Sequence, residues 1–235
     1  MLPEKLPQGY YTKTGTVLLR KESLKEGQSL LILMRDLGAR WVSAPRASAK
    51  NRFGGAAEPL TWAEYSLYQS ASRLYLRGAD VKEDFMKLRS MPSSLLAAVR
   101  IYGIAAKELP KDCENDGVLR LLWSTLIQLQ NGTPAAITEF RFVWRMLHLL
   151  GSAPTFDVCS LCGVKVTCGG TLTNDGFLCA KCSGRVEISQ KETSEIQAAA
   201  LLPHEKFIVW SKENKASDPY AKNLKKLFPY FKNLR

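Results

Sequence analysis

The sequence predicts an α+β multidomain chain: an N-terminal five-stranded β-barrel of the OB type, then an all-α domain with an inserted four-cysteine module. Three observations predict it. The first 80 or so residues hold five short runs rich in β-branched, Leu and aromatic residues, the middle repeats apolar residues at helical spacing, and two Cys-x-x-Cys pairs follow. At 235 residues the chain exceeds an average domain of roughly 100–200 residues. Its 46% hydrophobic and 23% charged residues suit a packed core, not wholesale disorder.

The strands are expected over 14–20, 28–35, 39–47, 60–69 and 73–81, with Lys-Glu-Gly, Asp-Leu-Gly and Gly-Gly among the breaks between them. Five closely spaced strands must hide their edges, and a small closed barrel does so; an SH3-like barrel is the structural alternative to the OB type. The helices follow. Residues 93–109 place Leu95, Leu96 and Val99 on a face, and 116–130 repeats Leu119, Leu122, Trp123, Leu126 and Leu129. Thr133 is expected to cap a third helix with Pro134 at its first position, ending at Gly151. Phe140, Phe142, Trp144, Met146 and His148 on that helix read as core, not as a ligand pocket. Near the C-terminus, Ser217 or Asp218 before Pro219 would cap a basic helix from about Tyr220. Its Leu224, Leu227, Phe228 and Phe231 share a face, Pro229 ends or kinks it, and Lys222, Lys225, Lys226 and Lys232 stay exposed.

Four of the six cysteines form two knuckles, Cys159-Ser-Leu-Cys162-Gly and Cys179-Ala-Lys-Cys182-Ser-Gly, separated by 16 residues. That spacing is a zinc signature: each short gap lets a pair turn back onto one tetrahedral ion, with Gly163 and Gly184 relieving the turns. Four thiolates close the coordination shell, so Cys159, Cys162, Cys179 and Cys182 are expected to hold one structural Zn2+. Disulfides are the competing account, and the same ligands also suit an iron–sulfur cluster. Cys168 has no partner two residues away, and Cys113 reads as an ordinary thiol.

No apolar run approaches the roughly 18 residues of a membrane helix, and the first residues lack an apolar signal core, so no membrane is expected and a cytoplasmic address follows. There is no phosphate-binding GxxxxGK[ST] loop, no GxGxxG, no HExxH and no GxSxG, and only His148 and His204 are available. Acidic residues near 83–84 and 112–116 read as helix-start partners. The sequence therefore points to a binding protein and not an enzyme.

Thirty-three Lys plus Arg against 22 Asp plus Glu give a net charge of +11, and the excess lies at the ends: +6 over residues 1–78 and +5 over 203–235. Such a chain attracts polyanions, nucleic acid first. The local candidate is 44–59, where Arg46, Lys50 and Arg52 crowd a glycine-bearing connection between strands, with Arg20, Lys21 and Arg40 as weaker contacts. Trp41 and Phe53 are available for base stacking, although Phe53 serves equally well as an anchor for the loop in the core.

The residues also resemble the bacterial recombination-mediator RecO family. Thr14-Gly-Thr-Val-Leu-Leu-Arg20 is similar to the family's TxGxVL start, Arg52-Phe53-Gly54-Gly55 to its RFGG, and Glu58-Pro59-Leu60 to the motif that follows. Residues 140–151, then Ala153-Pro154 and the first knuckle, look like its run into the zinc module. The resemblance implies a non-enzymatic DNA repair protein, associated with the nucleoid, that binds single- and double-stranded DNA, anneals complementary strands and works with RecR. It also implies contact with the single-stranded-DNA-binding protein and, indirectly, with RecA. The implied division is 1–80 OB domain, 81–157 helical domain, 158–184 zinc module and 185–235 C-terminal helical segment packing on the helical domain. A zinc-ribbon regulatory protein that reads duplex sequence is the rival reading.

Overall fold

The computed structural model describes residues 6–23, 27–44, 53–214 and 218–234, which fall into two compact units, Met1–Trp123 and Ser124–Arg235. In the first unit, five strands, β1 (Gly9–Ser23), β2 (Gly27–Met34), β3 (Gly38–Ala44), β4 (Trp62–Gln69) and β5 (Leu74–Glu83), close into a barrel in the order β1-β2-β3-β5-β4. All neighbours are antiparallel except β3 and β5.

Closure depends on β1, which serves two neighbours: its N-terminal part pairs with β4 and its C-terminal part with β2. The register shifts between Val17 and Leu19, a bulge that bends a strand long enough to reach both. Alternate residues then fill the interior: Val17, Leu30, Ile32, Met34, Val42, Ala44, Ala63, Tyr65, Leu67, Leu74 and Leu76 form one buried cluster. Tyr65 is wholly enclosed, donates to the Ala56 carbonyl at 3.0 Å, and burial raises its pKa strongly. The turn after β2 needs Gly38: φ is +68°, and a Cβ there would lie 1.6 Å from the Cys113 carbonyl oxygen.

A helix, α1 (Pro92–Glu108), starts with Pro at its first position and ends before Pro110. It buries Ala97, Ala98, Ile101, Tyr102 and Ala105, with Tyr102 Oη 2.8 Å from Thr16 Oγ1 on β1. The sequence-expected face is corrected here: Leu96 and Val99 point to solvent, because the small Ala97, Ala98 and Ala105 let the backbone approach the barrel more closely. Helix α2 (Asp116–Gln130) agrees with the expected span and crosses the division between the units.

In the second unit, α3 (Ala135–Leu149) is the centre. Phe140, Phe142, Trp144 and Met146 are buried on it as expected. Two details differ from expectation. Thr133 does not cap it, the cap position being Pro134 with no side-chain bond, and His148 is exposed, stacked on Trp144 at 5.2 Å. Short strands β6 (Gly170–Thr173) and β7 (Gly176–Cys179) make a hairpin that leads into a single turn, α4 (Ala180–Ser183). Three helices follow, α5 (Gln190–Leu201), α6 (His204–Glu213) and α7 (Asp218–Leu227), with a 3-10 turn over Phe228–Leu234.

α5 opens with a Ser189/Glu192 capping box. Its last carbonyls are met by α3: Arg141 donates to Ala199 O at 2.6 Å and Leu202 O at 2.7 Å, and Arg145 to Leu202 O at 3.0 Å. The α-helix α7 stops before Pro229 as expected, but the segment's buried apolar residues are Tyr220, Leu227, Tyr230 and Phe231, with Phe228 exposed. Tightening to a 3-10 turn rotates Phe228 off the helical face. Lys226, expected in solvent, is half-buried and pairs with Glu187 at 2.5 Å. No described helix is long and apolar enough to cross a membrane.

Candidate metal centre and nucleic-acid interface

Each cysteine pair sits on a turn that its glycine permits. Gly163 follows Cys162 with φ +70° and donates to Cys159 O at 2.8 Å; Gly184, at φ +66°, donates to Ala180 O at 3.1 Å. The β6–β7 hairpin then carries Cys179 beside the first knuckle, and Ser160 N donates to Phe177 O at 2.9 Å. As a result the sulfurs of Cys159, Cys162, Cys179 and Cys182 all lie within 4.8 Å of one another, with Cys162 and Cys179 3.9 Å apart. A tetrahedral ion with sulfur arms of about 2.3 Å needs edges of about 3.8 Å, so the four thiols fit one ion.

The thiols are also electrostatically prepared. The amides of Cys179 and Cys162 donate toward the Cys159 sulfur and lower its pKa to about 6, while contacts with the Cys162 and Cys179 sulfurs push Cys182 up to about 12. Four acids so close cannot all ionise alone, and a cation that replaces their shared protons relieves the conflict. The cluster is seated on aromatic packing: Phe177 meets Phe156 edge-on at 6.1 Å, and Phe156 packs on Phe140 and Trp144 of α3, each at 6.3 Å. Cys168 is exposed beside Thr167 and lies outside the cluster, and Cys113 sits near Asn115 in the other unit.

Of the expected nucleic-acid contacts, Arg46, Lys50 and Arg52 lie outside the described residues. The weaker candidates separate clearly. Arg40 is a structural cation: it donates from Nε to Leu37 O at 3.0 Å and from its other nitrogens to Asp112 Oδ1 at 3.2 Å and Asp112 O at 3.3 Å. That fixes the turn before β3 to the segment after α1, so the Arg40 guanidinium is committed to contacts within the chain. Arg20 is held between Glu22, at 3.1 Å, and Glu58. Lys21 is exposed, with its ammonium 4.9 Å above the ring of Trp41, itself 41% exposed. Phe53 is 6% exposed within the barrel core, which makes it the loop's anchor and removes it from stacking.

Sequence reasoning missed a second aromatic group. Tyr10, Tyr68 and Tyr75 are register partners on β1, β4 and β5, and Arg77 lies over the rings of Tyr68 at 5.3 Å and Tyr75 at 5.7 Å. Their separation in sequence hides them. Only the alternation of each strand, combined with the closed strand order, could have put them on one outer face.

Comparison with known proteins adds an independent line. A family model described as "Recombination protein O C terminal" matches residues 89–202. The chain is 25% identical to the DNA repair protein RecO of Dehalococcoides mccartyi over 72% of its length and 69% of the relative's. It is 27% identical to the DNA repair protein RecO of Geobacter metallireducens, over 81% of its length and 78% of the relative's. It is also 26% identical to that of Exiguobacterium sibiricum, over 72% and 69%. The matched residues span α1 to α5 and include the four-cysteine cluster, and the longest of these alignments extends into the residues of the barrel. The family-model match and these relatives together support the RecO family of DNA repair proteins for this chain.

Proposed function

We propose that this chain is a non-enzymatic recombination mediator that binds single- and double-stranded DNA, anneals complementary strands and helps RecA load onto protein-coated single strands, with RecR and the single-stranded-DNA-binding protein as partners. The observation that carries the reading is the closed barrel in a chain of a DNA repair family, with cations and open aromatic rings on its outer surface. The order β1-β2-β3-β5-β4 with parallel β3 and β5 supports an OB-type barrel, a fold that holds single strands against its strands and loops. Arg46, Lys50 and Arg52 contact phosphates, and Lys21 is a further contact. Contacts to the backbone leave base edges free, so two bound strands pair while their mutual repulsion is screened.

The four cysteines hold one structural zinc ion, whose part is folding energy that a small module lacks. The division 1–80, 81–157, 158–184 and 185–235 separates DNA holding from partner surfaces, and the protein works at the nucleoid in the cytoplasm.

The test is annealing of two complementary oligonucleotides coated with single-stranded-DNA-binding protein. Wild type accelerates it, and a variant with Ala at Arg46, Lys50 and Arg52 does not. No acceleration by zinc-loaded wild type, together with strong preference for one duplex sequence, would replace this reading with a zinc-ribbon regulator.

A further inference from the structure

Followed once round the barrel, register partners run Lys21, Ser29, Ser43, Tyr75, Tyr68 and Tyr10. The path returns to β1 eleven residues before its start, the stagger that closes a tilted barrel. Directly paired residues share a face, and none of the six belongs to the core cluster, so this is one outer belt. Its composition is polarised. Three tyrosines stand side by side at one end, two serines sit in the middle, and Lys21 with Trp41 closes the other end.

Two features make the tyrosine end more than chance exposure. Tyr10 is 80% exposed, yet its ring is set by Tyr68, 4.9 Å away, so an open aromatic face is presented at little cost in side-chain freedom. Arg77 occupies a bulge: the register passes from Leu67 opposite Leu76 to Ser66 opposite Gly78, leaving Arg77 as the extra residue of β5. Bulges re-aim side chains, and this one lays a guanidinium across Tyr68 and Tyr75. Beside the tyrosines, the next row, Thr12, Ser66 and Gly78, is small and leaves a low shelf. The belt positions include no carboxylate, in a stretch whose net charge is +6 over residues 1–78. The chain also leaves β3 at Ala44, one residue past Ser43, for the segment that bears Arg46, Lys50 and Arg52.

We infer that the Tyr10–Tyr68–Tyr75–Arg77 end of this belt is a stacking platform for unpaired DNA bases and that it gives the chain a preference for single strands over duplex. The inference rests on the DNA-binding reading above and deepens it. An exposed ring stacks on a free base face and finds none in a duplex, whose faces are covered by neighbouring pairs. Arg77 and Lys21 meet phosphates of either form. The loop cations thus supply strand-blind affinity, and the belt supplies discrimination.

The test is equilibrium binding of full-length, zinc-loaded protein to three labelled ligands: a thymine oligonucleotide, an abasic oligonucleotide of the same length, and a duplex. Tyr10→Ala is expected to weaken the thymine strand about tenfold, the effect of one lost base stack, and to leave the abasic strand and duplex within about twofold. Tyr10→Phe keeps the wild-type pattern, because the ring and not the hydroxyl does the stacking. Arg77→Ala weakens all three and lowers the salt slope by about one. Equal losses on all three ligands for Tyr10→Ala, or no loss on the thymine strand, would overturn the platform while leaving DNA binding in place. Wild type that binds none of the three overturns the proposed function itself, and the platform with it.

Discussion

The four-cysteine cluster and the outer belt of the barrel gather their functional side chains in opposite ways. In the cluster, two pairs of residues three apart are turned by Gly163 and Gly184, and one hairpin carries the second pair to the first. The belt gathers residues 10, 68, 75 and 77 from three strands through register alone. What holds each region differs accordingly. The module has little apolar interior of its own, Val166, Leu172 and Phe177 being its main buried side chains, so on the proposed zinc binding its folding would lean on the ion. The barrel buries a continuous cluster along all five strands and needs none. Losing the ion should therefore unfold one region and spare the other.

The largest expected effect breaks that comparison if it fails. Cys179→Ser removes one of four sulfurs, and metal-linked folding energy of about 10 kcal/mol is available to lose at neutral pH. The variant is expected to lose its zinc by elemental analysis and to be cut by protease within 158–184, while residues 9–23, 27–44 and 62–83 stay protected. A variant that keeps both zinc and protection would contradict the metal assignment. The reciprocal change is smaller. Ile32→Ala leaves a cavity in the barrel, where Ile32 is fully enclosed, and should cost about 3 kcal/mol in denaturant unfolding with zinc content unchanged. Loss of zinc along with barrel stability would mean that the two regions fold as one.

The same contrast explains what was legible in the sequence. Short-range chemistry was: the Cys-x-x-Cys spacing led to the cluster, alternation found all five strands, and the α2 span was read from its Leu and Trp repeat. Side-chain commitments that depend on distant partners were not. Arg40 reads as a free cation until Asp112, 72 positions away, is placed beside it, and Lys226 until Glu187 is. Phe53 was balanced between stacking and anchoring, and only the closed barrel supplies the interior that claims it. Apolar size misled on α1, where three alanines join Ile101 and Tyr102 on the packed face and Leu96 and Val99 face outward. The tyrosine belt had no local signal at all, because the bulge near Leu18 lets both Tyr10 and Lys21 face outward from one strand.

Gly38 gives a smaller and sharper probe of the barrel side. An alanine there meets a left-handed φ of +68° and a backbone oxygen, Cys113 O, which cannot rotate away like a side chain. Gly38→Ala should cost about 2 kcal/mol, and the Arg40–Asp112 contact nearby should loosen with it. Unfolding by chemical denaturant measures the first. A wild-type midpoint would show that the 112–114 segment shifts at no cost and carries no strain.

The smallest effect tests how α7 is held beside the β6 end of the module. Glu187 accepts from Lys226 at 2.5 Å and from Arg185 at 3.0 Å, and its own amide donates to Gly170 O at 3.0 Å. The Lys226 ammonium holds its carboxyl below the usual carboxylate range. A carboxylate with a depressed folded pKa contributes stability that is fully present above the unfolded value of about 4.3 and disappears as pH falls through the folded value. Lys226→Met should therefore lower stability by about 0.5 kcal/mol or less at neutral pH, the scale of a partly exposed pair. The difference from wild type should shrink as pH falls below about 4, where both chains carry a protonated Glu187. A difference that persists unchanged to lower pH would assign the effect to packing of the lysine stem and not to the charge pair.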